Sequence, residues 1–257
     1  MPSIKIRGIK VYDEKKGVGE PLVFLHCWTG NHSFWKNQVR VFSKEYKCIA
    51  VDLPGHGRSE EIEEYTPEEF SKYVYTLLSK LRIKEATLVG HSLGGMTALK
   101  LALEHPQIVK ALILIDTSAK LTRYIFQNVS SLGGVIFGHF LPPLIKKGVI
   151  DLSAIHPLTS LKIREQIKDE VIKVPNRIVV KVLSGIRAFD VLSQLDEIDK
   201  PTLIMVGDLD IFTDLRHAFS LHKGIKGSIL KIIKGAGHMS ILEQPEQVNK
   251  AMREFID

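Results

Sequence analysis

Read from the amino end, the apolar positions follow two alternating rhythms. Short runs of mostly aliphatic and β-branched residues, bounded by Gly, Pro or charged side chains, occupy 21–27, 46–53, 86–90, 109–116, 201–207 and 228–234. Between them lie stretches with apolar residues at helical spacing, at 67–82, 93–105, 214–222 and 245–256. The first of these opens with Thr66-Pro67-Glu68-Glu69, the composition of a capped helix start. Several strand runs are apolar at nearly every residue, as in Leu112-Ile113-Leu114-Ile115. A strand covered by helices on both faces needs that composition. The alternation therefore predicts an α/β fold with a mostly parallel central sheet flanked by helices, all six runs being read as core strands. Residues 3–12 alternate polar and apolar and are expected to add antiparallel strand.

One stretch interrupts the rhythm. From 118 to about 190 the chain shows helical and turn patterns only, broken by Gly133-Gly134 and Pro142-Pro143, and it is too long for a simple crossover. Its apolar residues, among them Ile125, Phe126, Val129, Phe137 and Leu144, predict a helical cap over one end of the sheet. The expected organisation is a core domain formed by 1–118 and 191–257, with residues 119–190 inserted as the cap.

Gly90-His91-Ser92-Leu93-Gly94 matches G-x-S-x-G, a pattern that arises by chance in roughly one chain in ten of this length. Its context sharpens it, because a strand run precedes Ser92 and a helical run follows, which places the serine on a sharp strand-to-helix turn. Such a turn strains the serine backbone, and side chains two residues before and after would collide there. It also leaves the N–H of Leu93 at a helix start, where it can donate to an oxyanion. Ser131-Leu132-Gly133-Gly134 repeats part of the motif, but Val129 replaces the leading Gly and no strand run precedes it, so it reads as a turn of the cap.

A serine hydroxyl is a weak nucleophile unless a histidine takes its proton and a carboxylate fixes the imidazole tautomer. Among ten histidines, His238 is set apart by Gly235-Ala236-Gly237-His238, a loop after the last strand run and before the terminal helix. Parallel sheets gather their sites at that strand edge, whereas His105, His217 and His222 fall on helices and read as solvated surface residues. The carboxylate should follow a strand as well. Asp208, Asp210 and Asp116 all do; Asp210 is favoured because Asp208 stands directly against its strand end as a turn residue. The order Ser, Asp, His along the chain suits this arrangement.

Taken together, Phe24-Leu25-His26-x-Trp28, Asp52-Leu53-Pro54-Gly55-His56-Gly57-Arg58-Ser59, Gly90-His91-Ser92-Leu93-Gly94-Gly95, Gly207-x-x-Asp210 and Gly235-x-Gly237-His238 resemble the α/β-hydrolase superfamily over about 20–117 and 200–257. The resemblance implies a catalytic triad of Ser92, Asp210 and His238, and an oxyanion hole made by the backbone N–H groups of Trp28 and Leu93. It also gives His26, His56 and His91 scaffolding roles. The family usually has His-Gly where this chain has His26-Cys27. Dehalogenases and epoxide hydrolases of the superfamily carry an aspartate at the position of Ser92, and carbon–carbon bond hydrolases often carry Trp where this chain has Met239. The resemblance thus implies a carboxylesterase, and the mostly apolar cap sequence suggests a small to medium apolar ester as its substrate. Enol-lactone hydrolysis, carbon–carbon bond hydrolysis and a low-turnover ligand receptor remain as alternatives, and Arg123 or Arg187 as holders of a substrate carboxylate.

The bulk composition narrows the rest. With 257 residues, 44% apolar and 25% charged, the chain suits one main hydrophobic core. Lys and Arg number 35 against 29 Asp and Glu, a net +6, but they are scattered, and nucleic-acid binding is not implied. No signal-peptide pattern or membrane-length apolar run is read, no cofactor or metal motif occurs, and a cytoplasmic location is expected, with a homodimer left open. Cys27 and Cys48 fall on neighbouring strands about four residues out of level, roughly 13 Å apart, beyond the reach of a disulfide.

Overall fold

The computed structural model describes residues 3–121 and 155–257. Eight strands form one sheet: β1 (Ser3–Ile6), β2 (Ile9–Lys16), β3 (Pro21–Leu25), β4 (Lys47–Val51), β5 (Ala86–His91), β6 (Val109–Ile115), β7 (Thr202–Gly207) and β8 (Ile229–Ile233), in the spatial order β1-β2-β4-β3-β5-β6-β7-β8. From β4 to β8 every neighbouring pair is parallel, and β1 and β2 add an antiparallel hairpin beside β4. The hairpin turns through Arg7 and Gly8, both with positive φ.

The uninterrupted apolar runs have the predicted cause. In β6, Leu112 and Leu114 enter the core on one face while Ile113 and Ile115 enter the core on the other; Ile204 and Val206 of β7 oppose Leu203 and Met205 in the same way. Helices α2 (Pro67–Lys80) and α3 (Leu93–Glu104) cover the first face, with α6 (Leu215–Gly224). Helices α1 (Lys36–Phe42), α7 (Ser240–Glu243) and α8 (Pro245–Ile256) cover the second. Each fully buried aliphatic side chain contributes about 1.5–3 kcal/mol, so both layers hold the sheet. Thr66 caps α2 by accepting from the N–H of Glu69 at 3.1 Å, as its sequence signature predicts. β8 departs from the expectation of a core strand: it is the sheet edge, and Ile229 and Ile232 are exposed.

Two α-helices lie between β6 and β7 among the described residues, α4 (Leu161–Val171) and α5 (Asn176–Ala188). Ile178, Val179, Val182 and Ile186 of α5 join the core of the first face, and Ile167 and Val171 of α4 join that of the second. Gly185 brings α5 down onto the start of α2, since a Cβ there would stand 2.2 Å from the Tyr65 carbonyl oxygen. At the foot of this excursion the N–H of Val191 donates to Ala119 (3.0 Å), and Lys120 pairs with Asp190 (2.5 Å). The second SLGG at 131–134, Arg123 and the apolar residues 125–144 lie outside the described residues. Among the described residues no helix is long and apolar enough to cross a membrane.

Candidate active site

Ser92 stands between β5 and α3 with φ +53° and ψ −115°, a conformation that costs about 1–3 kcal/mol for a residue with a side chain. The neighbouring sheet stabilises it: the Ser92 N–H donates to Ile115 (2.9 Å), and its carbonyl accepts from Gly95, Met96 and the Thr117 hydroxyl (2.7 Å). The motif's glycines are dictated by contact. A Cβ on Gly90 would lie 2.4 Å from the Gly94 carbonyl oxygen, and one on Gly94 would lie 2.0 Å from that of Leu25.

The loops after β7 and β8 bring two more groups to the serine. His238 Nε2 lies 3.0 Å from Ser92 Oγ, and His238 Nδ1 lies 2.8 Å from Asp210 Oδ2. Asp210 is buried and fully engaged: Oδ1 accepts the N–H groups of Phe212 (2.8 Å) and Thr213 (3.0 Å), and Oδ2 accepts the Thr213 hydroxyl (2.8 Å). With Asp210 an acceptor, the Nδ1–H tautomer is favoured, leaving the Nε2 lone pair toward Ser92. Burial alone would raise the Asp210 pKa, but the His238 charge and these hydrogen bonds hold it below the ordinary carboxylate range. Burial likewise opposes a charge on His238, yet Asp210, then Asp116 and Glu243, carry its pKa above the usual histidine value.

The two rival carboxylates serve the same loop in other ways. Asp208 Oδ1 accepts the N–H groups of Gly235 (2.9 Å) and Ala236 (3.2 Å), which makes it the turn residue expected. Asp116 accepts from Gly207 through Oδ1 (2.9 Å) and from the Ser240 backbone (3.2 Å) and hydroxyl (2.5 Å) through Oδ2. Burial, then the charge of Asp210, push its pKa upward. His91 holds the other flank, donating from Nε2 to the His238 carbonyl at 2.7 Å. Burial and the neighbouring His238 lower the His91 pKa to about 3, so it stays neutral.

The loop after β3 runs beside this turn, because Leu25 pairs with Gly90 across the two strands. His26 accepts the Leu53 N–H at Nε2 (2.9 Å) and donates from Nδ1 to the Cys27 carbonyl (2.7 Å), tying the loop to the end of β4. Trp28 is fixed at both ends: its indole N–H donates to Val179 of α5 (3.0 Å), and its carbonyl accepts from His56 Nε2 (2.5 Å). Leu93 opens α3, where the helix offers its N–H no carbonyl. Burial raises the Cys27 thiol to about 12, so it is a protonated filler beside Gly30. Cys48 pairs in register with Leu22, which puts Cys27 five residues out of level rather than four; both are buried free thiols.

Of the histidines read as solvated surface residues, His217 is a correction. It is buried at 5% exposure and paired through Nδ1 with Asp214 (3.0 Å), because its face of α6 turns inward. His222 is exposed, and His105 stacks on Tyr75. Arg187 is exposed on α5. Three residues that sequence reasoning missed support the site: Thr213, Ser240 and Glu243. Thr213 is three residues past Asp210, at the distance where a hydroxyl can fold back on a carboxylate, and that spacing was the available signal. Among the described residues no three His, Cys, Asp or Glu side chains converge as a metal ion would require.

Known proteins resemble this chain in sequence or in fold. The uncharacterized hydrolase YugF of Bacillus subtilis (strain 168) is 27% identical over 273 aligned positions, covering 98% of this chain and 96% of that protein. A pimeloyl-(acyl-carrier protein) methyl ester esterase of Neisseria meningitidis serogroup C is 28% identical over 240 positions, covering 91% and 92%. A thermophilic esterase from Thermogutta terrifontis superposes with a TM-score of 0.89 at 24% identity, over 100% of this chain and 98% of that one, a likeness of fold. The family model for the alpha/beta hydrolase fold matches residues 20–245, nearly the whole span from β3 to the start of α8, and the chain belongs to that family.

Proposed function

We propose that the protein is a serine hydrolase that cleaves a carboxylic ester of small to medium size through an acyl-enzyme. The observation that carries this reading is the continuous hydrogen-bond chain from Ser92 Oγ through His238 to Asp210. Ser92 Oγ attacks the ester carbonyl as His238 Nε2 takes its proton, and Asp210 steadies the imidazolium through Nδ1–H. The N–H groups of Leu93 and Trp28 receive the developing oxyanion. His238 then protonates the departing alcohol. Water enters, loses a proton to the same nitrogen and releases the acid, restoring Ser92.

The esterase relative supports the reaction class, and the apolar cluster in which Trp28, Leu121 and Phe212 pack against Leu183 supports an uncharged substrate. We also propose that residues 119–190 form a cap insertion, whose described ends leave and re-enter the core at the Ala119–Val191 and Lys120–Asp190 contacts. The test is steady-state hydrolysis of p-nitrophenyl esters from acetate to laurate, with Ser92→Ala beside the wild type. Turnover that vanishes in the variant supports the reading and gives the preferred acyl length. No turnover at any length overturns the simple esterase and directs the search to lactones, carbon–carbon bond cleavage and bound ligands.

A further inference from the structure

Glu243 ends the single turn of α7 and is buried at 8% exposure, with both carboxylate oxygens occupied in opposite directions. Oε1 accepts the N–H groups of Gly237 (3.2 Å) and Met239 (3.0 Å), the two residues that flank His238. Oε2 accepts the His156 N–H (2.7 Å) and the Thr159 hydroxyl (2.7 Å) from the turn that leads into α4. That turn is itself closed by Arg164, whose guanidinium donates to the carbonyls of His156, Pro157 and Thr159. His156 Nδ1 accepts the N–H of Leu158. A buried carboxylate holding four donors is expensive to displace, so it ties the two segments together.

We propose that Glu243 is a positioning residue that couples the 156–159 turn to the loop carrying His238, so that the seating of this turn sets the reach of His238 Nε2 to Ser92. The inference rests on the serine-hydrolase reading above and extends it to a residue outside the triad. Its negative charge also favours the imidazolium, alongside Asp210 and against burial, while the adjoining His91 stays neutral.

The experiment is the second-order rate of Ser92 labelling by a fluorophosphonate, followed from pH 5 to 9, in wild type, Glu243→Gln, Thr159→Val and the double variant, with thermal melting alongside. Glu243→Gln is expected to label about tenfold or more slowly, since small misplacements of a base are costly. The acid limb of its profile shifts to lower pH, because a negative charge near the imidazolium is gone. Thr159→Val touches neither Ser92 nor His238, yet it slows labelling about threefold, the scale of one hydrogen bond. In the double variant the two effects are less than additive. Thr159→Val protein that labels at the wild-type rate with the wild-type pH midpoint overturns the coupling, whatever its melting temperature, and this holds even where Glu243→Gln fails to fold. A wild-type Ser92 that never reacts overturns the serine-hydrolase reading and this inference with it.

Discussion

Asp116 and Asp210 follow neighbouring parallel strands and divide the loop that carries His238 between them: Asp210 takes the imidazole at 2.8 Å, and Asp116 takes the backbone and hydroxyl of Ser240 two residues on. Their substitutions should therefore differ in kind. Asp210→Asn presents an amide that no longer selects the Nδ1–H tautomer, and kcat is expected to fall by about four orders of magnitude. Asp116→Asn leaves the imidazole's partner in place and should lose far less. Comparing the two kcat values on one p-nitrophenyl ester decides it; equal losses would mean that Asp116 shares the role given to Asp210.

Asp116 also carries a pH signature in stability. Its folded-state pKa lies above the ordinary carboxylate range, through burial and then the charge of Asp210, so between the two values the native state binds more protons than the unfolded chain. Stability then declines as pH rises through that interval, the reverse of a salt-bridged aspartate. His238, whose pKa is also raised, adds a loss of the same sign. Melting temperatures of wild type should fall from pH 5 to 9 more steeply than those of Asp116→Asn, which has no carboxyl to ionise there. Parallel curves would contradict the assignment.

Much of this was readable in the residues. Leu112-Ile113-Leu114-Ile115 announces a strand covered on both faces, Gly90 and Gly94 mark a turn too tight for side chains, and Gly237-His238 falls after the last strand. Each is a local constraint, and local constraints leave a local pattern. Thr213 apart, the missed features are contacts across long sequence separations. Glu243 meets Thr159 over 84 positions and Trp28 meets Val179 over 151, and no spacing rule encodes either. His217 and β8 misled for a related reason: an inward-facing histidine on an amphipathic helix and an apolar strand at a sheet edge are distinguished only by what packs against them.

In the proposed mechanism His238 must be neutral to accept the proton of Ser92. Because the neighbouring carboxylates, Asp210 foremost, outweigh burial and raise the His238 pKa above its usual value of 6.5, kcat/KM should lose its activity on the acid side with a midpoint above that value. A pH profile from 5 to 9 at substrate concentrations well below KM measures it directly. A midpoint below 6.5 would show that burial prevails over the carboxylates.

The tightest steric demand in the site lies at Gly94, and it is backbone against backbone. A Cβ there would stand 2.0 Å from the Leu25 carbonyl oxygen and 2.9 Å from that of His26, so relief requires β3 and its loop to separate from the start of α3. Both neighbours are anchored, β3 between β4 and β5, and His26 by its bond to Leu53. Gly94→Ala is therefore expected to lose about 3 kcal/mol or more of stability, at the upper end of overpacking costs. Any folded fraction should hydrolyse esters poorly, because the same movement would shift the Leu93 N–H relative to the loop of Trp28. Gly227→Ala is the contrasting case: nothing lies within 4 Å of its Cβ, and only its φ of +76° opposes the change. Urea unfolding of the two variants should give a loss of about 1–2 kcal/mol for Gly227→Ala, the penalty of a left-handed alanine. A Gly94→Ala protein as stable as Gly227→Ala would mean that the start of α3 and the loop after β3 are not in contact as described.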